Sequence, residues 1–123
     1  MRLVLVVDDD SGARQAMKDL LEEEGYDVMV AEDGRQALER INGRVPALLV
    51  TDLEMPEING ERLIGEVHER FPSMPILVIT SRLVIDARRE ADRLGVSGFL
   101  NKPIDLEVLL DEVKTALSAD PPS

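Results

Sequence analysis

The sequence predicts an α/β domain: one parallel five-stranded sheet with helices on both faces. Three observations predict it. The runs Leu3–Val7, Ala47–Thr51 and Ile76–Thr80 are almost wholly aliphatic, as strands buried on both faces must be. Stretches of helical periodicity separate the strand-like runs, and strands joined by crossover helices pair in parallel. Two of the runs end in acid, Asp8-Asp9-Asp10 and Asp52, which places these carboxylates at the carboxyl edge of the sheet, where open α/β sheets bind ligands.

The elements follow in order. After the first strand, Asp10 or Ser11 caps a helix with Ala13, Met17, Leu20 and Leu21 on one face and Arg14, Lys18, Glu22 and Glu23 outside. Gly25 ends it. A second strand covers 27–31. Asp33 with Gln36 three residues on reads as a capping box for a helix using Ala37, Leu38 and Ile41, closed by Asn42-Gly43. The third strand is 47–51. Met55-Pro56 opens a loop, and Asn59-Gly60 turns it into a helix with Leu63, Ile64, Val67 and Phe71 inward, stopped by Pro72. The fourth strand is 76–80. A fourth helix uses Val84, Ala87, Ala91 and Leu94 and ends at Gly95; Leu83 and Ile85 stand off its core stripe, either as exposed apolar residues of a partner surface or, where the helix starts later, as packed loop residues. A fifth strand covers 96–100, and Asp105 caps a last helix bearing Leu106, Leu109, Leu110, Val113, Ala116 and Leu117. Residues 1–118 form one domain, and 119–123 read as a tail or a truncated linker.

Composition narrows the function. The 123 residues are 44% hydrophobic and 32% charged, ordinary for a soluble domain. No apolar run reaches the ~20 residues of a membrane span, no signal peptide is visible, and there is no cysteine, which excludes disulfides and thiolate chemistry and fits a cytoplasmic protein. A formal net charge of −11 opposes direct binding to nucleic acid or an anionic membrane. The aromatics Tyr26, Phe71 and Phe99 make no platform for stacked bases.

Asp8, Asp9, Asp52, Thr80 and Lys102 all fall at strand carboxyl ends. They combine hard oxygen ligands, a nucleophilic carboxylate, a hydroxyl and an ammonium, a set suited to phosphoryl transfer. Helix capping alone does not explain three adjacent acids, since one cap needs one acid and like charges repel; Asp10 is the member best read as a cap. Taken singly, Thr80 is an ordinary strand residue and Lys102 an ordinary surface lysine; only joint placement raises them. His68, the sole histidine, reads as a surface residue on a helix flank.

The motifs Val6-Val7-Asp8-Asp9, Asp52-Leu53-Glu54-Met55-Pro56, Asn59-Gly60, Ile79-Thr80-Ser81 and Gly98-Phe99-Leu100-Asn101-Lys102-Pro103 resemble, in order and spacing, the response-regulator receiver domain of bacterial two-component signalling. The resemblance implies a (βα)5 flavodoxin-like three-layer sandwich with strand order 2-1-3-4-5. It implies that Asp52 is the phosphoacceptor, and that Asp8, Asp9, Asp52 and the backbone carbonyl of Glu54 hold Mg2+ or Mn2+. Thr80 and Lys102 would bind the phosphoryl group, Thr80 and Phe99 would form the switch, Glu54 and Arg82 would tune phosphoryl lifetime, and Lys102-Pro103 would be cis. The implied partners are a sensor histidine kinase or histidine phosphotransfer protein and an output protein or domain met around the fourth helix, fifth strand and fifth helix, with the chain a monomer or a phosphorylation-dependent dimer. Asn59 stands where an aspartate is frequent, and Phe99 where a tyrosine is equally familiar. The rival is a Mg2+-dependent aspartyl phosphatase or phosphotransferase of the haloacid dehalogenase type, but Glu54 occupies the slot of its second aspartate. A flavodoxin-like cofactor binder is the third reading, disfavoured by few aromatics and no Ser/Thr-rich phosphate loop.

Overall fold

The computed structural model describes residues 2–55, 59–82 and 84–118. Five strands alternate with five helices: β1 (Leu3–Val7), α1 (Ser11–Glu23), β2 (Asp27–Ala31), α2 (Gly34–Gly43), β3 (Leu48–Asp52), α3 (Gly60–Arg70), β4 (Ile76–Thr80), α4 (Ala87–Leu94), β5 (Gly98–Asn101) and α5 (Leu106–Ser118). All neighbouring strands are parallel, in the order β2-β1-β3-β4-β5.

Strand residues point alternately to the two faces of a sheet, so each aliphatic run feeds two cores. Leu5, Val7, Leu49, Ile76 and Val78 pack against Ala37 and Ile41 of α2, Leu63, Ile64 and Val67 of α3, and Ala91 of α4. Val4, Val6, Leu48, Val50, Leu77 and Ile79 pack against Met17 and Leu21 of α1 and Leu109, Val113 and Leu117 of α5. The result is the three-layer sandwich. β1, β3 and β4 are buried at every position, which is why their sequences show no polar alternation.

The caps follow the local signals. Asp10, Asp33 and Asn59 accept from backbone N–H groups in the first turns of α1, α2 and α3, and Asp105 does the same for α5. The Gln36 side chain reaches back to the N–H of Glu32, one residue earlier than a reciprocal capping box requires. Gly25 and Gly95 take positive φ, and in each case the next residue, Tyr26 or Val96, bonds back to the helix as in a Schellman ending.

Three elements have bounds that differ from the sequence expectation. β3 is shifted by one residue, starting at Leu48 and including Asp52, which pairs with Ile79 of β4. β5 begins at Gly98 rather than 96, because the Val96 N–H is used to close α4 on the carbonyl of Ala91. α4 begins at Ala87, capped by Asp86, so Val84 and Ile85 precede it and are not helical. Val84 packs partly against the core, whereas Ile85 is 99% exposed. Leu83, Pro56 and the 119–123 tail lie outside the described residues.

Candidate functional site

The register builds the site. Val7 pairs with Thr51, so Asp8 and Asp52 leave adjacent strands side by side. Thr80 pairs with Asn101, and the Lys102 N–H donates to the Thr80 carbonyl at 2.8 Å, which brings Lys102 to the same edge. Asp8, Asp52 and Thr80 are buried, although the site lies at the edge of the sheet; Asp9 is exposed.

Asp52 Oδ2 accepts from Lys102 Nζ at 2.7 Å, and Oδ1 accepts from the Glu54 N–H at 3.0 Å. Asp8 Oδ1 accepts from the Asp10 N–H at 2.9 Å. Asp8 Oδ2 lies 3.0 Å from Lys102 Nζ, an ion pair without the alignment of a hydrogen bond, and is thus a buried oxygen with no hydrogen-bond donor. Burial pushes the Asp8 carboxyl above its ordinary range; the Asp10 N–H and Lys102 pull it back in part, while the Asp52 charge adds to the rise. Burial opposes the charge on Lys102, but the hydrogen bond to Asp52 and then the ion pair with Asp8 outweigh it and hold the ammonium above its ordinary range.

One carboxylate oxygen from each of Asp8, Asp9 and Asp52 lies within 4.8 Å of the others. Three carboxylates thus face one ammonium. The donorless Asp8 oxygen and the excess negative charge suit a small hard cation that takes one or two carboxylates and keeps other positions for water and phosphate oxygens. The site residues therefore fit Mg2+ or Mn2+.

Thr80 Oγ1 accepts from the Arg82 N–H at 3.1 Å, leaving the hydroxyl hydrogen free to donate. Phe99 is buried and lines a cavity of about 610 Å³ with Leu53, Arg82, Val84, Ile85 and Arg89. The Lys102-Pro103 bond is cis. His68 is half-buried, with its ring against Gly95.

A family model described as the response regulator receiver domain matches residues 4–114. The chain belongs to that family. A receiver domain is the phosphoacceptor module of two-component signalling. This one is 34% identical over 120 residues to the transcriptional regulatory protein GlrR of Escherichia coli, covering 98% of this chain but 27% of GlrR. It is 37% identical over 121 residues to an uncharacterized 14.6 kDa protein of Leptolyngbya boryana, covering 97% of this chain and 92% of that one. The receiver domain thus spans about a quarter of the former relative and most of the latter. Among solved structures, the chemotaxis protein CheY4 of Vibrio cholerae superposes with a TM-score of 0.86 at 31% identity, over 95% of this chain and 99% of that chain.

Two residues that support the receiver site were not picked out from the sequence. Arg14 looks like a solvated residue of α1, yet its Nη1 donates to the Asp8 carbonyl at 2.8 Å and fastens the turn that carries both N-terminal acids. Gly60 looks like half of a turn. In the structure a Cβ there would stand 2.2 Å from the Asp52 carbonyl oxygen and 2.6 Å from Leu53 Cα, so α3 starts against the backbone of the Asp52 strand end. Gly60→Ala is therefore expected to push that strand end away and destabilise the domain by about 1–3 kcal/mol, the usual range for overpacking, measured by urea unfolding. Wild-type stability in this variant would show that the approach is relaxed at no cost.

Proposed function

We propose that Asp52 is the residue that accepts the phosphoryl group, from a histidine kinase, a histidine phosphotransfer protein or a small acyl phosphate. The observation that carries this reading is the buried Asp52 carboxylate held between Lys102 Nζ and the Glu54 N–H, beside Asp8 and Asp9. A carboxylate oxygen of Asp52 attacks phosphorus and a new O–P bond forms. The bond from phosphorus to the donor's nitrogen or oxygen breaks, and its electron pair leaves with the donor. Lys102 neutralises charge on the transferred group, and the Thr80 hydroxyl donates to one of its oxygens. Asp8, Asp9, Asp52 and the Glu54 carbonyl would hold Mg2+, which offsets the charge that the phosphoryl group brings to an acidic pocket.

The Thr80 hydroxyl is engaged by the Arg82 N–H, so its movement toward a phosphoryl oxygen changes the start of the β4-α4 connection and the space beside Phe99. The output surface is the face around α4, β5 and α5, where Ile85 stands exposed. The two states need differ by only a few kcal/mol to act as a switch.

Against the phosphatase reading, the Glu54 side chain is 52% exposed and paired with Arg82 at 2.8 Å, outside the carboxylate cluster. With acetyl phosphate and Mg2+, the purified domain should gain one phosphoryl group by intact mass and should not turn over a phosphomonoester. Steady phosphomonoester turnover would instead favour the enzyme.

A further inference from the structure

Arg82 is held at four points. Its N–H donates to Thr80 Oγ1, its carbonyl accepts from Asn101 Nδ2 at 2.7 Å, its Nε donates to Glu54 at 2.8 Å, and its Nη1 lies 3.9 Å from Glu61. Glu54 follows Asp52 by two residues and donates its N–H to Asp52 Oδ1. The Arg82–Glu54 pair therefore bridges the two strand ends that carry Asp52 and Thr80.

Glu61 is shared. The carboxylate oxygen near Arg82 also lies 3.5 Å from Arg93 of α4, and Arg93 is held by Glu90 of the same helix at 2.9 Å. α4 has eight residues, of which Ala91 is fully buried and Ala87 and Leu94 pack partly against the core. Its apolar anchorage is smaller than that of α3, which buries Gly60, Leu63, Ile64 and Val67, and polar contacts weigh more in its placement.

We propose that Glu61 is a relay: by dividing its charge between Arg93 and Arg82, it couples the position of α4 to the closure of the Arg82–Glu54 bridge beside Asp52, and so to the lifetime of the phosphorylated state. This rests on Asp52 being the phosphoacceptor. When Arg93 is drawn away from Glu61, Glu61 turns to Arg82 and draws it from Glu54. The bridge opens and water reaches phosphorus. Water then forms a new O–P bond as the bond to the Asp52 carboxylate breaks, releasing inorganic phosphate and restoring the carboxylate. A partner whose carboxylates take Arg93 would in this way shorten the signal that recruited it.

The sign is specific. Arg93→Ala frees Glu61 and should speed phosphoryl loss about two- to fivefold, the range a surface ion pair can supply. Glu61→Gln removes the competitor for Arg82 and should slow loss by a similar factor. In the double variant, the Arg93→Ala effect should vanish, because the relay through which it acts is gone. Both residues are exposed, so thermal melting should stay near wild type and separates relay effects from unfolding.

The test follows loss of the phosphoryl group by intact mass after acetyl phosphate is removed, in wild type, both single variants and the double variant. In parallel, NMR follows solvent exchange of the Arg82 Nε–H without any phosphodonor; Arg93→Ala should speed it and Glu61→Gln slow it. Equal lifetimes and equal exchange in all four proteins would overturn the relay while leaving the phosphoacceptor reading intact. Additive effects of the two substitutions would overturn it too. A wild-type protein that takes no phosphoryl group would defeat the functional reading instead, with the Nε–H exchange still deciding the ion-pair coupling.

Discussion

Asp52→Asn is expected to take up no phosphoryl group from acetyl phosphate under conditions where the wild-type domain gains one. The amide nitrogen and oxygen of asparagine occupy the same volume, but neither is an effective nucleophile toward phosphorus. The fold should survive. Asparagine offers one acceptor where the carboxylate has two, so either the bond from Lys102 Nζ or the bond from the Glu54 N–H is lost. A lost hydrogen bond costs about 0.5–1.5 kcal/mol, offset in part by removing one of three clustered negative charges. Lys102 keeps Asp8 at 3.0 Å. Melting near the wild-type temperature together with absent labelling would assign the chemistry to Asp52. Undiminished labelling of the variant would move it to another residue.

Mg2+ should raise the melting temperature of the wild-type domain, and Asp8→Asn should weaken that rise strongly while making the metal-free domain more stable. A ligand that binds only the native state stabilises it by about 2.7 kcal/mol at a hundredfold excess over Kd. For a domain of this size that is a shift of several degrees. Asp8 is the acid to change because it is buried, one oxygen has no hydrogen-bond donor, and burial holds its carboxyl above the ordinary range. A neutral isostere removes that unfavourable charge, worth about 1 kcal/mol for each unit by which the carboxyl is displaced.

The sign with pH follows from the direction of that displacement. The native state binds the Asp8 proton more tightly than the unfolded chain does. The stabilising contribution is therefore fully present below the ordinary aspartate range and is lost as pH rises through the raised native value. This is the reverse of a normal paired aspartate, and Asp8→Asn should abolish it. Mg2+ affinity should fall as pH drops through the same window, because a proton and the cation compete for one carboxylate. Lys102 moves the opposite limit: its raised native value keeps its contribution intact below about 10.5, and it is lost only as pH rises beyond that. Melting curves from about pH 3 to about pH 11, with and without Mg2+, check both signs. An Asp8→Asn domain with the full Mg2+ shift would remove Asp8 from the metal site.

The exposed Ile85 shows where one-dimensional reading stops. The sequence allows an exposed residue on a helix face or a packed loop residue before a later helix start; Asp86 caps α4 after Ile85, which stands on the connection and is exposed. A capping aspartate and an outward helical aspartate look alike in a sequence. The choice is made by where the Asp86 carboxylate finds the Arg89 N–H.

Legible along the chain were the alternation of five strands and five helices, the caps at Asp33 and Asp105, the choice of Asp10 or Ser11 for the first, and the gathering of Asp8, Asp9, Asp52, Thr80 and Lys102 at one edge. These are local or follow from one rule: periodicity and capping act within a few residues, and a parallel sheet sends every strand's carboxyl end the same way. Only the tertiary structure decided that Arg14 fastens the Asp8 turn, that Gly60 meets the Asp52 backbone, and that Glu61 stands between Arg82 and Arg93. Each of these depends on distances of a few ångströms between separate elements, set by how helices seat on the sheet, and no spacing along the chain records them.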